Sequence, residues 1–206
     1  MTEAEARDWV RDHFGVSRET SAAAFAEMVI AENDRQNLIS KASLSGIWAR
    51  HVVDSAQLLT ALPANAPSGL WVDIGTGAGF PGLVIALLSE RPVMLVEPRR
   101  RRAEFLETAI VALGLTDRVV VRCCRAQQLT EQADVISARA VAALPDLLAA
   151  AAPITTRQTV WMLPKGINAR EEVEAARRTW HGRFHVESSL TQPGSLIVIA
   201  TDVARR

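Results

Sequence analysis

Hydrophobic residues recur along this chain in two different rhythms. Up to about residue 62 they follow helical spacing, with Trp9, Val10 and Phe14, then Phe25, Met28 and Val29, then Trp48, Val52, Val53, Ala56 and Leu59. That spacing predicts helices over 3–13, 20–34 and 47–62. Pro63 and the run Pro67-Ser68-Gly69 break the pattern, which places a boundary between an N-terminal helical extension, 1–66, and a second segment, 67–206, packed with it as one unit. Beyond the boundary come short apolar runs at 70–74, 93–97, 118–123, 133–137 and 158–163, each read as a strand covered on both faces. Helical stretches at 81–90, 99–114, 141–151 and 168–179 fill most of the gaps, an alternation that calls for right-handed parallel crossovers. The last two strands, 183–188 and 195–201, are separated by a turn at Gln192-Pro193-Gly194 and are expected to form an antiparallel hairpin at one edge of the sheet. The expected fold is α/β, Rossmann-like and mostly parallel, with an antiparallel C-terminal hairpin and an N-terminal helical cap.

The chemistry concentrates in Val72-Asp73-Ile74-Gly75-Thr76-Gly77-Ala78-Gly79-Phe80-Pro81-Gly82. An apolar strand runs through an acidic residue into a glycine-rich turn and a helix, and the next strand, Val93-Met94-Leu95-Val96-Glu97, also ends in a carboxylate. Gly75, Gly77 and Gly79 permit conformations closed to other residues and let a ligand approach without a Cβ in the way. Pro81 has its φ preset for a first helical turn. Glu97, at the tip of the second strand, suits the two hydroxyls of a ribose. Gly77 to Gly82 also satisfies the dinucleotide pattern G-x-G-x-x-G. Asp73 separates the two readings, because a carboxylate in the mouth that holds a pyrophosphate would repel it. A sulfonium with an ammonium group, as in S-adenosylmethionine, would instead be attracted to it. The other reading of Asp73, a cap on the following turn, stays open.

Composition and charge narrow the class. With 206 residues, 49% of them hydrophobic, the chain can bury one sizeable core. Its formal net charge is zero, yet residues 1–34 hold eight acidic and three basic side chains, so the remainder carries +5. No apolar run reaches the ~20 residues of a membrane span, and the acidic N-terminus does not resemble a signal peptide. A cytoplasmic protein without a membrane partner is expected. Cys123 and Cys124 are adjacent and are the only cysteines, which excludes a disulfide framework. His13, His51, His181 and His185 show no ligand-like spacing, so no metal is assigned.

Other polar residues fall at strand ends, where doubly wound sheets bind ligands. Ala126 and Gln127 follow the third strand, placed to meet a base edge. Arg139 follows the fourth and Lys165 the fifth, two cations suited to a phosphodiester. Arg99-Arg100-Arg101-Arg102 opens a helix where the dipole disfavours cations, and reads either as an RNA-facing patch or as a solvated helix face. His51 reads as structural.

Together, Asp73 to Gly82, the upstream Asn37-Leu38-Ile39-Ser40 and His51-Val52-Val53-Asp54-Ser55, and the downstream Ala138-Arg139-Ala140-Val141 and Lys165-Gly166 resemble the bacterial 16S rRNA guanine-N7 methyltransferase G family, also called glucose-inhibited division protein B. The resemblance covers nearly the whole chain. It implies a class I methyltransferase fold, S-adenosyl-L-methionine as cofactor, and a guanine in the 530 loop of 16S rRNA as target, either in free RNA or in the small ribosomal subunit or an assembly intermediate. It also implies cofactor contacts at Gly75, Phe80, Ala126, Gln127 and Arg139, beside Asp73, Gly77, Gly79 and Glu97 from the fold logic. Arg139 and Lys165 would orient the RNA, with no general base. The family's usual Gly-Arg-Ala-Glu is Cys124-Arg125-Ala126-Gln127 here, exchanging an acidic contact for an amide, and its Asn-Leu-Thr is Asn37-Leu38-Ile39-Ser40. A methyltransferase acting on a small molecule or a protein, and a nicotinamide-dependent oxidoreductase, are the alternatives.

Overall fold

A computed structural model describes all residues, Met1–Arg206. The N-terminal segment folds into α1 (Glu3–Phe14), α2 (Val16–Gln36), a single turn α3 (Lys41–Leu44), a π-helical turn (Trp48–Val53) and α4 (Asp54–Thr60). The sheet is built from β1 (Trp71–Ile74), β2 (Val93–Val96), β3 (Val119–Arg122), β4 (Val135–Ala138), β5 (Val160–Lys165), β6 (Trp180–Ser188) and β7 (Leu196–Arg205). Its helices are α5 (Gly82–Leu88), α6 (Arg100–Ala112), α7 (Leu144–Ala151) and α8 (Ala169–Arg177).

The strand order is β3-β2-β1-β4-β5-β7-β6, parallel from β1 to β5. The chain therefore leaves β1 toward β2 and β3, then returns to β4 on the other side. This makes the β1/β4 junction the switch point where such sheets open a crevice at their carboxyl ends. The hairpin is antiparallel as expected, but its second strand lies inside: β7 pairs with β5, and β6 takes the edge. Apolarity explains the swap. Ile197, Val198, Ile199 and Ala200 are all buried, whereas β6 alternates His181, Arg183 and His185 outward, a pattern suited to an edge.

Side chains alternate cleanly across the sheet. Trp71, Leu95, Val135 and Met162 join α1, α2, α4, α5 and α6 in one apolar layer, while Val72, Met94, Ile136 and Trp161 join α7 and α8 in the other. The N-terminal helices thus share a continuous core with the sheet. Glu3 stitches them further, its two oxygens accepting the Trp48 and Ala49 amides at 2.9 and 3.0 Å.

Boundaries shift where local chemistry intervenes. The predicted helix 47–62 is interrupted by the π turn, and α7 starts at Leu144, three residues late, because Ala140 takes φ 55° in the loop that leaves β4. Likewise α5 begins at Gly82, with Pro81 as its N-cap residue at φ −90°.

Gly82 is where helix and sheet come closest. A Cβ there would collide with Leu95 Cδ2 and lie 2.6 Å from Asp73 Cβ. Gly82→Ala is expected to destabilise the protein by about 1–3 kcal/mol through overpacking, seen as a lower thermal midpoint. An unchanged midpoint would contradict this packing.

Candidate functional site: a glycine turn and a neighbouring polar cavity

Asp73 organises the turn from below. It is completely buried: Oδ2 accepts the Gly82 amide at 2.8 Å, and Oδ1 accepts the Ser137 hydroxyl at 2.6 Å. Ser137 in turn accepts the Trp71 indole N–H at 2.8 Å, so one carboxylate links β1, β4 and the start of α5. Burial pushes its pKa up to about 6, and the Ser137 and Gly82 hydrogen bonds offset only part of that rise. The Asp73 oxygens face the protein, and the residue acts by shaping the turn.

Every other amide in the turn but one is also satisfied internally. Gly75 and Thr76 donate to Val96 O, Gly77 to Glu97 Oε2 at 3.0 Å, and Gly79 and Phe80 to Thr76 O. Only the Ala78 amide donates to nothing in the chain. A pyrophosphate needs a nest of free N–H groups, and this turn does not supply one. The same geometry fits a nucleoside. Gly75 and Gly77, half-exposed at φ 66° and 61°, present backbone where a side chain would stand. Glu97 accepts one amide on each oxygen, from Gly77 and from Arg99, which leaves each a lone-pair direction for a ribose hydroxyl.

The third glycine has a different job. Gly79 is buried, and a Cβ there would lie 2.8 Å from Phe25 Cζ of α2, so it permits helix packing instead of ligand approach. The Phe80 side chain, too, is packed inward. It is 4% exposed, stacked on His51 with ring centroids 4.9 Å apart and tilted against Phe25 at 5.2 Å. On the far rim, Ala126 is buried at the start of a 3₁₀ turn after β3, and Gln127 is exposed with a free amide.

Beside the turn lies a cavity of about 620 Å³, walled by the π turn, the exits of β4 and β5, and the β6–β7 connection. The β4 exit loop separates the two: Val141, a cavity residue, sits 2.6 Å from where a Gly75 Cβ would be. Both sequence-predicted cations, Arg139 and Lys165, line this cavity, but neither is free. Arg139 donates to Asp54 Oδ2 at 3.1 Å, to Arg50 O at 3.2 Å and to His51 Nδ1 at 2.8 Å, and lies over the Phe80 ring. Lys165 Nζ donates to Ala142 O at 2.7 Å and Glu172 Oε2 at 2.9 Å. Both cations therefore already have partners within the chain. Arg139 ties the π turn to β4, and Lys165 ties β5 to α8.

Sequence reasoning missed Ser137, Asp54 and Glu172. Ser137 had a signal, the one polar side chain inside the apolar run of β4. Asp54 appeared only inside the string His51–Ser55 and Glu172 had no signal, because only the fold brings α4 and α8 to the same cavity. No cluster of three or more His, Cys, Asp or Glu side chains suited to a metal ion forms, and no helix is long and apolar enough to cross a membrane.

His51 is driven down to about pKa 3, by burial first and then by the Arg139 and Arg50 charges. Its Nδ1 must accept from a guanidinium, so the ring proton sits on Nε2. Because the folded value lies below 6.5, the stability tied to neutral His51 is complete above pH 6.5 and is lost as pH falls toward 3. Nitrogen-15 NMR is expected to find a neutral Nε2–H tautomer, unchanged from pH 8 to 5. A midpoint near 6.5 would contradict the site geometry.

Among known proteins, the profile of rRNA small subunit methyltransferase G (GidB) matches residues 18–194. Proteins named ribosomal RNA small subunit methyltransferase G from Novosphingobium aromaticivorans and Zymomonas mobilis are 46% and 44% identical, over 97% and 98% of this chain and 88% and 95% of theirs. Among solved structures, M. jannaschii TYW2 in complex with AdoMet superposes with TM-score 0.55 at 15% identity, covering 74% of this chain and 77% of that one. That likeness concerns the fold alone. With a family profile spanning most of its length and relatives this similar end to end, the chain belongs to the rRNA small subunit methyltransferase G family.

Proposed function

We propose that this protein transfers the methyl group of S-adenosyl-L-methionine to N7 of a guanine in the 530 loop of 16S rRNA, presented by the small ribosomal subunit or an assembly intermediate. The observation that carries the reading is the shared wall. A turn fit for a nucleoside and unfit for a pyrophosphate stands one loop away from a polar cavity within the ~300–1,000 Å³ of small-ligand sites.

S-adenosyl-L-methionine supplies an electrophilic methyl carried on a sulfonium. The residues do the holding. Glu97 receives the ribose hydroxyls, the Gly75–Gly77 backbone forms the floor, and Ala126 and Gln127 border the adenine. Guanine N7 already carries an in-plane lone pair, so the protein has no proton to remove before attack. The site agrees with that economy: His51, the one histidine present, is neutral and engaged with Arg139. Catalysis then rests on orientation and exclusion of water, and Arg139 contributes by fixing the β4 exit loop that borders both the turn and the cavity.

Phosphate charge falls to other cations. Arg50 lines the cavity, and Arg99, Arg102 and Arg125 follow the ends of β2 and β3; none of the four forms an ion pair. Arg102 lies 3.6 Å from the position of a Gly77 Cβ, directly at the turn. Unpaired arginines on both sides of the crevice favour an RNA over a small-molecule substrate.

Two outcomes are expected. Mapping 7-methylguanosine in rRNA from cells lacking this protein should reveal one missing modification in the 530 loop; an intact modification there contradicts the proposal. An Arg99→Ala/Arg125→Ala protein should bind rRNA more weakly, with a salt slope reduced by about one per lost phosphate contact, while S-adenosylhomocysteine affinity is unchanged. An unaltered salt slope would remove these residues from the RNA path.

A further inference from the structure

Two carboxylates line the polar cavity, Asp54 and Glu172, and their surroundings differ. Asp54 is closed off: Oδ1 accepts Gln57 Nε2 and Thr191 Oγ1, both at 2.9 Å, and Oδ2 accepts Arg139. In Glu172 a single oxygen takes both internal donors, since Oε2 accepts the Leu144 amide at 2.7 Å and Lys165 Nζ at 2.9 Å. Those two fixed donors orient the carboxylate. Oε1 has no donor from the chain, and the side chain is 26% exposed at the cavity wall.

A free carboxylate oxygen held in place accepts and never donates. Guanine presents two adjacent donors, N1–H and the N2 amino group, on its Watson–Crick edge, opposite the N7 that must face the methyl donor. Adenine presents a bare N1 acceptor there, which a carboxylate repels. We propose that Glu172 reads the Watson–Crick edge of the target guanine, with Oε1 accepting N1–H and N2–H, and that Lys165 is a positioning residue that aims it. This rests on the cavity's being the nucleobase site. It also explains why Lys165 lies inside, only 9% exposed, on the carboxylate instead of on the RNA.

The substitution Glu172→Gln sharpens the case. The Leu144 N–H and the Lys165 ammonium both demand an acceptor, so the amide must turn its oxygen toward them and its NH₂ toward the cavity. The reader is thereby inverted from acceptor to donor.

The test is the single-turnover rate on small subunits reconstituted with 16S rRNA carrying either guanine or inosine, which lacks the N2 amino group, at the target position. Wild-type protein is expected to favour guanine roughly 10–100-fold, the scale of one lost hydrogen bond to a charged group. In E172Q that ratio should fall to about threefold or less, with S-adenosylhomocysteine affinity retained. A purely structural role would slow both substrates alike and leave the ratio intact, so an unchanged ratio in E172Q overturns the inference. A wild-type ratio near one overturns it without any variant. Failure of wild-type protein to methylate the guanine substrate at N7 would instead overturn the proposed function itself.

Discussion

The architecture of the site depends on one buried carboxylate. Asp73 accepts from Ser137 and from Gly82, and in doing so ties β1 to β4 and to the origin of α5. Without it, two buried donors would lose their acceptor, a penalty of about 1–3 kcal/mol each. The turn above Asp73 could then relax. Its shape decides what it binds, because amides directed at Val96, Thr76 and Glu97 are not available to an anion. A glycine-rich sequence compatible with a dinucleotide thus folds into a surface for a ligand without phosphate.

A second layer of organisation lies on the other side of the β4 exit loop. The π turn departs from regular helix at Trp48–Val53 and brings Arg50 O and His51 Nδ1 to a single guanidinium, that of Arg139. Local π geometry of this kind often accompanies functional sites. Here it converts Arg139 from a free cation into a tie between the N-terminal helices and the sheet. Phe80, stacked on His51 and against Phe25, carries the same connection down to the glycine turn. The N-terminal helices are thereby part of the site's construction, through Phe25 and Gly79 as well as through Arg139 and Asp54.

Much of this was readable in the sequence, and the limits are physical. The parallel strands announced themselves as unbroken apolar runs, and the glycine turn by spacing alone. The hairpin at 180–205 was legible as a pair, but its insertion order required comparing the apolar run Ile197–Ala200 with the alternation of β6. Residue type also failed to separate Gly79 from Gly75 and Gly77, since all three have positive φ and only the position of Phe25 distinguishes packing from ligand approach. Arg139 and Lys165 were legible as strand-end cations, but the carboxylates that engage them were not. Their partners, Asp54 and Glu172, sit 85 and 7 positions away on other elements, and no local pattern signals such pairings.

The central claim is that the first βα turn receives an uncharged or cationic nucleoside sulfur compound and rejects a phosphorylated coenzyme. Calorimetric titration of the same protein with S-adenosylhomocysteine and with NAD tests it most directly. Saturable one-to-one binding of S-adenosylhomocysteine with no measurable heat from NAD is the predicted result. Comparable binding of NAD would contradict the account at its base.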